Sequence, residues 1–257
     1  MRVFHPNFDF ELELAGLPPT ARRNAELEPL LFYLAEEGDA VLLPEPVPEA
    51  FLERVARWGF ATPRLEASSG AELVGWGASP GAREAARRAG LAWKGPPADA
   101  VRQANARPFG HLLEQRLGVA IEGASLVGTR AEAELSATRF DRWVLKAPFG
   151  TAGRNRLLRR GPPSTADLVW IEKTLAAGEP LLFEPWLDRV EDFGVQGEVD
   201  RAGAARVLAV TGLDCGPTGV YAGTRIGLPP LDPRLEEVAL EAGRALGALG
   251  YHGPYGV

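Results

Sequence analysis

Trp143-Val-Leu-Lys-Ala-Pro-Phe-Gly-Thr-Ala-Gly-Arg154 reads as a strand ending in lysine, a loop carrying Gly150 and Gly153, and the start of a second strand. Glycine frees backbone amides to approach phosphate oxygens, and an ammonium at a strand end can neutralise them. Lys146 stands out because only Lys94, Lys146 and Lys173 are lysines among 28 basic residues. The order is not that of a P-loop, since the lysine precedes the glycines and no helix follows them. Taken alone, the segment also reads as a glycine-containing hairpin with a partly exposed lysine.

Downstream, Leu181-Leu-Phe-Glu-Pro-Trp-Leu-Asp-Arg-Val-Glu-Asp-Phe-Gly-Val195 is an apolar strand ending at Glu184, an aromatic connector and a returning strand. Such a connector can offer backbone groups to a purine edge, and a carboxylate a few residues on can accept from ribose hydroxyls. A β-turn with surface acids has the same composition.

Around these segments the pattern is mixed. The first 95 or so residues alternate short apolar runs with amphipathic stretches (1–4, 25–37, 40–43, 48–58, 73–76, 81–89), which predicts a mainly parallel sheet. Asn7, Asp9, Glu11 and Glu13 alternate with apolar residues, as an edge strand with one wet face does. After the break at Lys94-Gly-Pro-Pro97, helical spacing runs over 98–117, with Pro108 implying a kink or two abutting helices. Strands are expected at 125–127, 143–147, 154–160 and 181–184, and helices at 130–136 and 164–176. Residues 193–199 and 205–211 form an antiparallel pair about Gly203, 213–230 is a glycine- and proline-rich loop, and 233–249 is the final helix.

What gives these separate signals weight is their order. Residues 98–257 resemble the ATP-grasp superfamily, which includes D-alanine–D-alanine ligase, biotin carboxylase and carbamoyl phosphate synthetase. The helix Val101-Arg-Gln-Ala-Asn-Ala-Arg-Pro-Phe109 resembles the one that supplies the first basic phosphate ligand, with Arg107 where lysine is commoner. Lys146 matches the second basic residue, and Gly150, Thr151, Ala152 and Gly153 match the lid. Glu184, Trp186 and Leu187 match the adenine hinge. For the ribose, counting from the hinge points to Glu191, whereas the acid directly before the returning strand is Asp192; both are carried. Arg225 is a candidate contact for an acidic acceptor, beside the plainer reading of a solvated arginine.

The resemblance implies an α/β and α+β chain: a Rossmann-like pre-ATP-grasp domain at 1–97, a lid subdomain at 98–179 and a C-terminal subdomain at 180–257, with a second sheet expected from residue 180 onward. It implies an ADP-forming ligase that activates a substrate carboxylate as an acylphosphate for an amine or thiol, with ATP and a small-molecule carboxylate as partners; the oligomeric state stays open, a homodimer among the alternatives. Leu249-Gly-Tyr-His-Gly-Pro-Tyr-Gly-Val257 resembles the segment after which the first metal-binding carboxylate is due, so the Mg²⁺ expected for the family would find its ligands beyond Val257. Two further readings stay open: a non-catalytic nucleotide-binding module or inactive fragment, and an unrelated α/β scaffold.

Composition narrows the partners. A net charge of −6 argues against holding nucleic acid or anionic membrane by bulk electrostatics. Apolar runs are strand-sized, which predicts no membrane span. A single Cys215 excludes an intrachain disulfide and fits a reducing cytoplasm, and His5, His111 and His252 lack metal-ligand spacing.

Overall fold

The computed structural model describes residues 1–18, 26–43, 46–66, 68, 70–150, 154–227 and 232–257. The chain divides into two compact units, Met1–Ala98 and Asp99–Val257. Among the described residues no helix is long and apolar enough to cross a membrane.

The first unit is a parallel sheet of β1 (Arg2–His5), β2 (Ala40–Val41), β3 (Glu72–Gly75) and β4 (Ala92–Trp93), in the order β2-β1-β3-β4. Its centre is apolar on both faces, as a parallel sheet requires. Val3 joins a core with Leu73 and Ala86, while Phe4 joins another with Phe32 and Val55. Residues expected as an edge strand instead form helix α1 (Phe10–Leu14). The polar side chains there turn inward: the Asn7 amide donates to the Gly77 carbonyl at 2.7 Å, and Glu13 accepts from the Gly81 amide at 2.5 Å, in the first turn of a helix spanning Pro80–Arg88. The stretch expected as an amphipathic helix over 25–37 contains a 3₁₀ helix at Glu28–Tyr33, with Pro29 in its first turn.

The second unit begins with helices Ala98–Asn105 and Arg107–Leu117. Pro108 thus opens a second helix rather than kinking one. Numbered in chain order, helices Glu49–Arg57 and Pro80–Arg88 are α2 and α3, and these two are α4 and α5. Then come β5 (Ser125–Val127), α6 (Arg130–Ala137), β6 (Arg142–Lys146), β7 (Arg156–Arg160), α7 (Thr165–Leu175) and β8 (Leu181–Pro185), forming an antiparallel sheet in the order β5-β8-β6-β7. The remaining elements are β9 (Asp192–Val199), β10 (Ala205–Cys215), β11 (Tyr221–Arg225), α8 (Pro233–Ala248) and β12 (Gly253–Gly256), with a second antiparallel sheet ordered β11-β10-β9-β12.

Two expectations are corrected here. A second sheet was expected from residue 180 onward, but β8 lies inside the first sheet, between β5 and β6, and the second sheet starts at Asp192. All five β8 residues are buried, and a continuous apolar run is the mark of a central strand paired on both sides. The expected loop over 213–230 is in part a hairpin: β10 continues to Cys215, and Arg225 ends β11 rather than lying in a loop. The glycines and prolines that suggested a loop serve its turn, where Gly219 has φ +75° and its amide donates to the Gly216 carbonyl at 2.8 Å.

Candidate functional site

Directly paired residues of antiparallel strands project to the same face. Val144 pairs with Glu184 and Lys146 with Leu182, so these four share one face of the first sheet. The other face, with Trp143, Leu145, Leu181 and Phe183, is sealed in a core by α6 and α7, where Ala133, Ala137 and Ile171 meet it. Lys146 and Glu184 are therefore diagonal neighbours on the face not committed to that core, and their side chains form an ion pair. Glu184 is 8 % exposed, and the Lys146 side chain keeps 27 % of its surface.

Helix α5 packs against β8. Its first residue, Arg107, donates through its guanidinium to the carbonyls of Ala147 and, at 3.1 Å, Gly150. His111, one turn on, is 2 % exposed and its Nδ1 has no hydrogen-bond partner. Glu114 follows, its carboxyl raised above the ordinary value by burial first and then by the charge of Glu184, with Lys146 opposing. Glu114 escaped the sequence reading. The signal was available in the spacing Arg107, His111, Glu114, which at i, i+4 and i+7 lies along one helix face.

The connector from β8 to β9 forms a second cluster. Its first amide, of Trp186, donates to the Arg142 carbonyl at 2.9 Å, tying the connector to β6. The Arg189 guanidinium lies 5.3 Å from the Trp186 ring centre and pairs with Asp192 at 3.0 Å. Arg225 bridges Glu191 at 3.2 Å and Asp214 at 3.0 Å. Trp186, Leu187, Glu191, Asp192, Cys215 and Arg225 all line one cavity of about 440 Å³.

The candidate residues thus fall into two groups. Arg107, Lys146, Gly150 and Glu184 gather at the α5 end of the first sheet, and Trp186, Leu187, Glu191, Asp192 and Arg225 gather around the cavity. Glu191 and Asp192 both reach the cavity and both carry an arginine partner, so the geometry does not choose between them. Thr151, Ala152 and Gly153 lie outside the described residues. Among the described residues no group of three or more His, Cys, Asp or Glu side chains is disposed to hold a metal ion.

No protein-family model matches the sequence. No curated protein matches it either. Solved structures do. The chain is similar over its whole length to N5-carboxyaminoimidazole ribonucleotide synthetase from Thermus thermophilus, with a TM-score of 0.56 and 18 % identity, covering 66 % of that chain. It is similar over 99 % of its length to the biotin carboxylase domain of Hydrogenobacter thermophilus 2-oxoglutarate carboxylase, with a TM-score of 0.57, 15 % identity and 59 % of that chain covered. Biotin carboxylase from Campylobacter jejuni gives a TM-score of 0.59 at 14 % identity, with 99 % of this chain and 60 % of that one covered. The fold is that of the ATP-grasp proteins. The chain spans less than two thirds of the length of these three.

Proposed function

We propose that residues 99–257 bind ATP and that the protein acts as an ADP-forming ligase, activating a substrate carboxylate for attack by an amine or thiol. The observation that carries the reading is the placement of Lys146 and Glu184 on one face of the first sheet, next to α5. An ammonium has three N–H donors, so Lys146 can meet a phosphate oxygen while keeping its carboxylate partner. Support also comes from structures of similar fold: the Campylobacter biotin carboxylase is described in complex with a β,γ-ATP ligand, and the Hydrogenobacter domain with magnesium ADP and bicarbonate. In this reading ATP supplies the phosphoryl group that activates the carboxylate. The residues of this chain bind and position: Lys146 meets phosphate, the connector Glu184–Leu187 receives the purine, and Glu191 or Asp192 accepts from the ribose. Arg225 would meet an acidic acceptor by exchanging one of its two carboxylate partners. The described residues do not provide a donor set for Mg²⁺, so their assigned chemistry stops at binding and orientation.

Calorimetric titration with ATP is the test. A hydrogen bond to a charged group contributes on the order of 1.5–3 kcal/mol, so Lys146→Ala should weaken binding by roughly tenfold or more. Unchanged affinity removes the phosphate site from Lys146. Binding without phosphate release, measured with magnesium and a panel of carboxylates, would favour the nucleotide-binding module over the ligase.

A further inference from the structure

The four carbonyl groups that follow Lys146 are all engaged. Ala147 accepts from the Arg107 guanidinium, Pro148 from the Arg107 backbone amide at 3.0 Å, Phe149 from the Asn155 side-chain amide at 3.4 Å, and Gly150 again from the Arg107 guanidinium at 3.1 Å. One residue therefore supplies three of four donors. The segment is fixed from other sides as well. Its first amide, of Ala147, donates to the Asn155 carbonyl at 2.9 Å, and Asn155 holds φ at +54°, in the left-handed region. Arg102 on α4 lies 4.7 Å from the centre of the Phe149 ring, which is 6 % exposed.

Gly150 shows how close the guanidinium approaches. A Cβ at that position would stand 3.1 Å from both terminal nitrogens of Arg107 and 2.7 Å from the Arg154 carbonyl. Glycine is thus needed where the Arg154 carbonyl and, less closely, the arginine lie against the main chain. A planar guanidinium holds donors in a rigid fork that can serve two carbonyls at once, whereas lysine offers a single compact ammonium.

We propose that Arg107 is a positioning residue whose fork brackets Ala147–Gly150 and so fixes the strand end that presents Lys146, in place of the direct phosphate contact that its position in the sequence implies. The proposal rests on the nucleotide reading for its effect on binding, but the bracket itself does not. Strand β6 ends at Lys146, and beyond it the bracket keeps the chain from fraying. Nucleotide affinity then depends on Arg107 through Lys146.

The test compares Arg107→Lys, Arg107→Ala, Lys146→Ala and the double variant Arg107→Ala/Lys146→Ala. Calorimetric ATP titration is paired with amide hydrogen exchange of the nucleotide-free protein. Both Arg107 variants are expected to weaken ATP by a similar factor, about tenfold, since lysine restores the charge but not the fork. That loss is expected to vanish in the Lys146→Ala background, the non-additivity of two residues acting as one. Without nucleotide, both variants should speed exchange in the peptide through Gly150. Arg107→Lys binding like wild type while Arg107→Ala is weakened would make Arg107 a phosphate ligand and overturn the proposal. Unchanged exchange in the variants would do the same. A wild-type chain that binds no ATP would remove the proposed function instead, leaving the exchange measurement to decide the bracket alone.

Discussion

Asp167 shows what one buried carboxylate does when all its partners are in place. It is the third residue of α7, 2 % exposed, and accepts from the backbone amide and hydroxyl of Ser164 at 3.0 and 2.8 Å, while Ser164 in return accepts from the Asp167 amide. Arg159 on β7 adds a fork at 2.7 to 3.0 Å. The hydrogen bond from Arg159 leads in holding the carboxyl down to about 2, against an ordinary 3.8. A depressed acid binds its proton more weakly in the folded chain than in the unfolded one. Its contribution is therefore present above the unfolded value and is lost as pH falls toward 2. Asp167→Asn should cost on the order of 1–2 kcal/mol at pH 7 in denaturant titrations, with the gap to wild type closing between about pH 4 and pH 2. A gap independent of pH would mean that shape rather than charge holds this corner. The same scale explains which site residues could be read from sequence. Lys146 was legible because it is rare and ends a strand, and Glu184 because its strand is apolar up to it. The partners of Arg107 were not, because helical spacing says which face a side chain takes but not which distant carbonyls wait there.

At the scale of elements, the sequence is legible where period and burial agree and misleading where a short segment serves another one. The apolar run of β8 announced a strand, and its buried state on both sides explains why it sits inside the first sheet. Phe183, 1 % exposed and stacked on Trp143 with ring centres 5.9 Å apart, is at the middle of that core. Phe183→Ala should cost about 3–5 kcal/mol by chemical denaturation. By contrast, α1 was read as a strand because its alternation is real but short, and one of its acids, Glu13, accepts from the first turn of a neighbouring helix rather than facing water. The β10–β11 hairpin was hidden by its own turn residues. Helix α8 reverses a general rule. Glycine inside a helix is ordinarily worse than alanine by about 1 kcal/mol. At Gly243, however, a Cβ would stand 2.6 Å from both the Ala205 Cβ and the Tyr255 hydroxyl, which donates to the Ala239 carbonyl at 2.9 Å. Gly243→Ala is therefore expected to destabilise, and a raised melting temperature would show that α8 can shift off the second sheet without loss.

At the scale of the molecule, the two units each carry their own core, so heating is expected to unfold them in separable calorimetric transitions. A chain of net charge −6 does not draw in polyphosphate through its overall field, which leaves placed cations to do it. ATP should therefore act on one transition only, that of residues 99–257. A ligand at a hundred times its dissociation constant stabilises the binding state by about 2.7 kcal/mol. For a unit of this size each kcal/mol moves the midpoint by about 2–4 °C, so the shift should be roughly 5–10 °C. Hydrogen exchange near each midpoint assigns the transitions to their residues. Lys146→Ala should abolish most of the shift. Lys94→Ala and Lys173→Ala should leave it intact, since Lys94 belongs to the first unit, where it pairs with Glu72, and Lys173 lies in the last turn of α7. Equal shifts in both transitions would mean that ATP engages both units, and a shift preserved in Lys146→Ala would place the phosphate elsewhere in the chain.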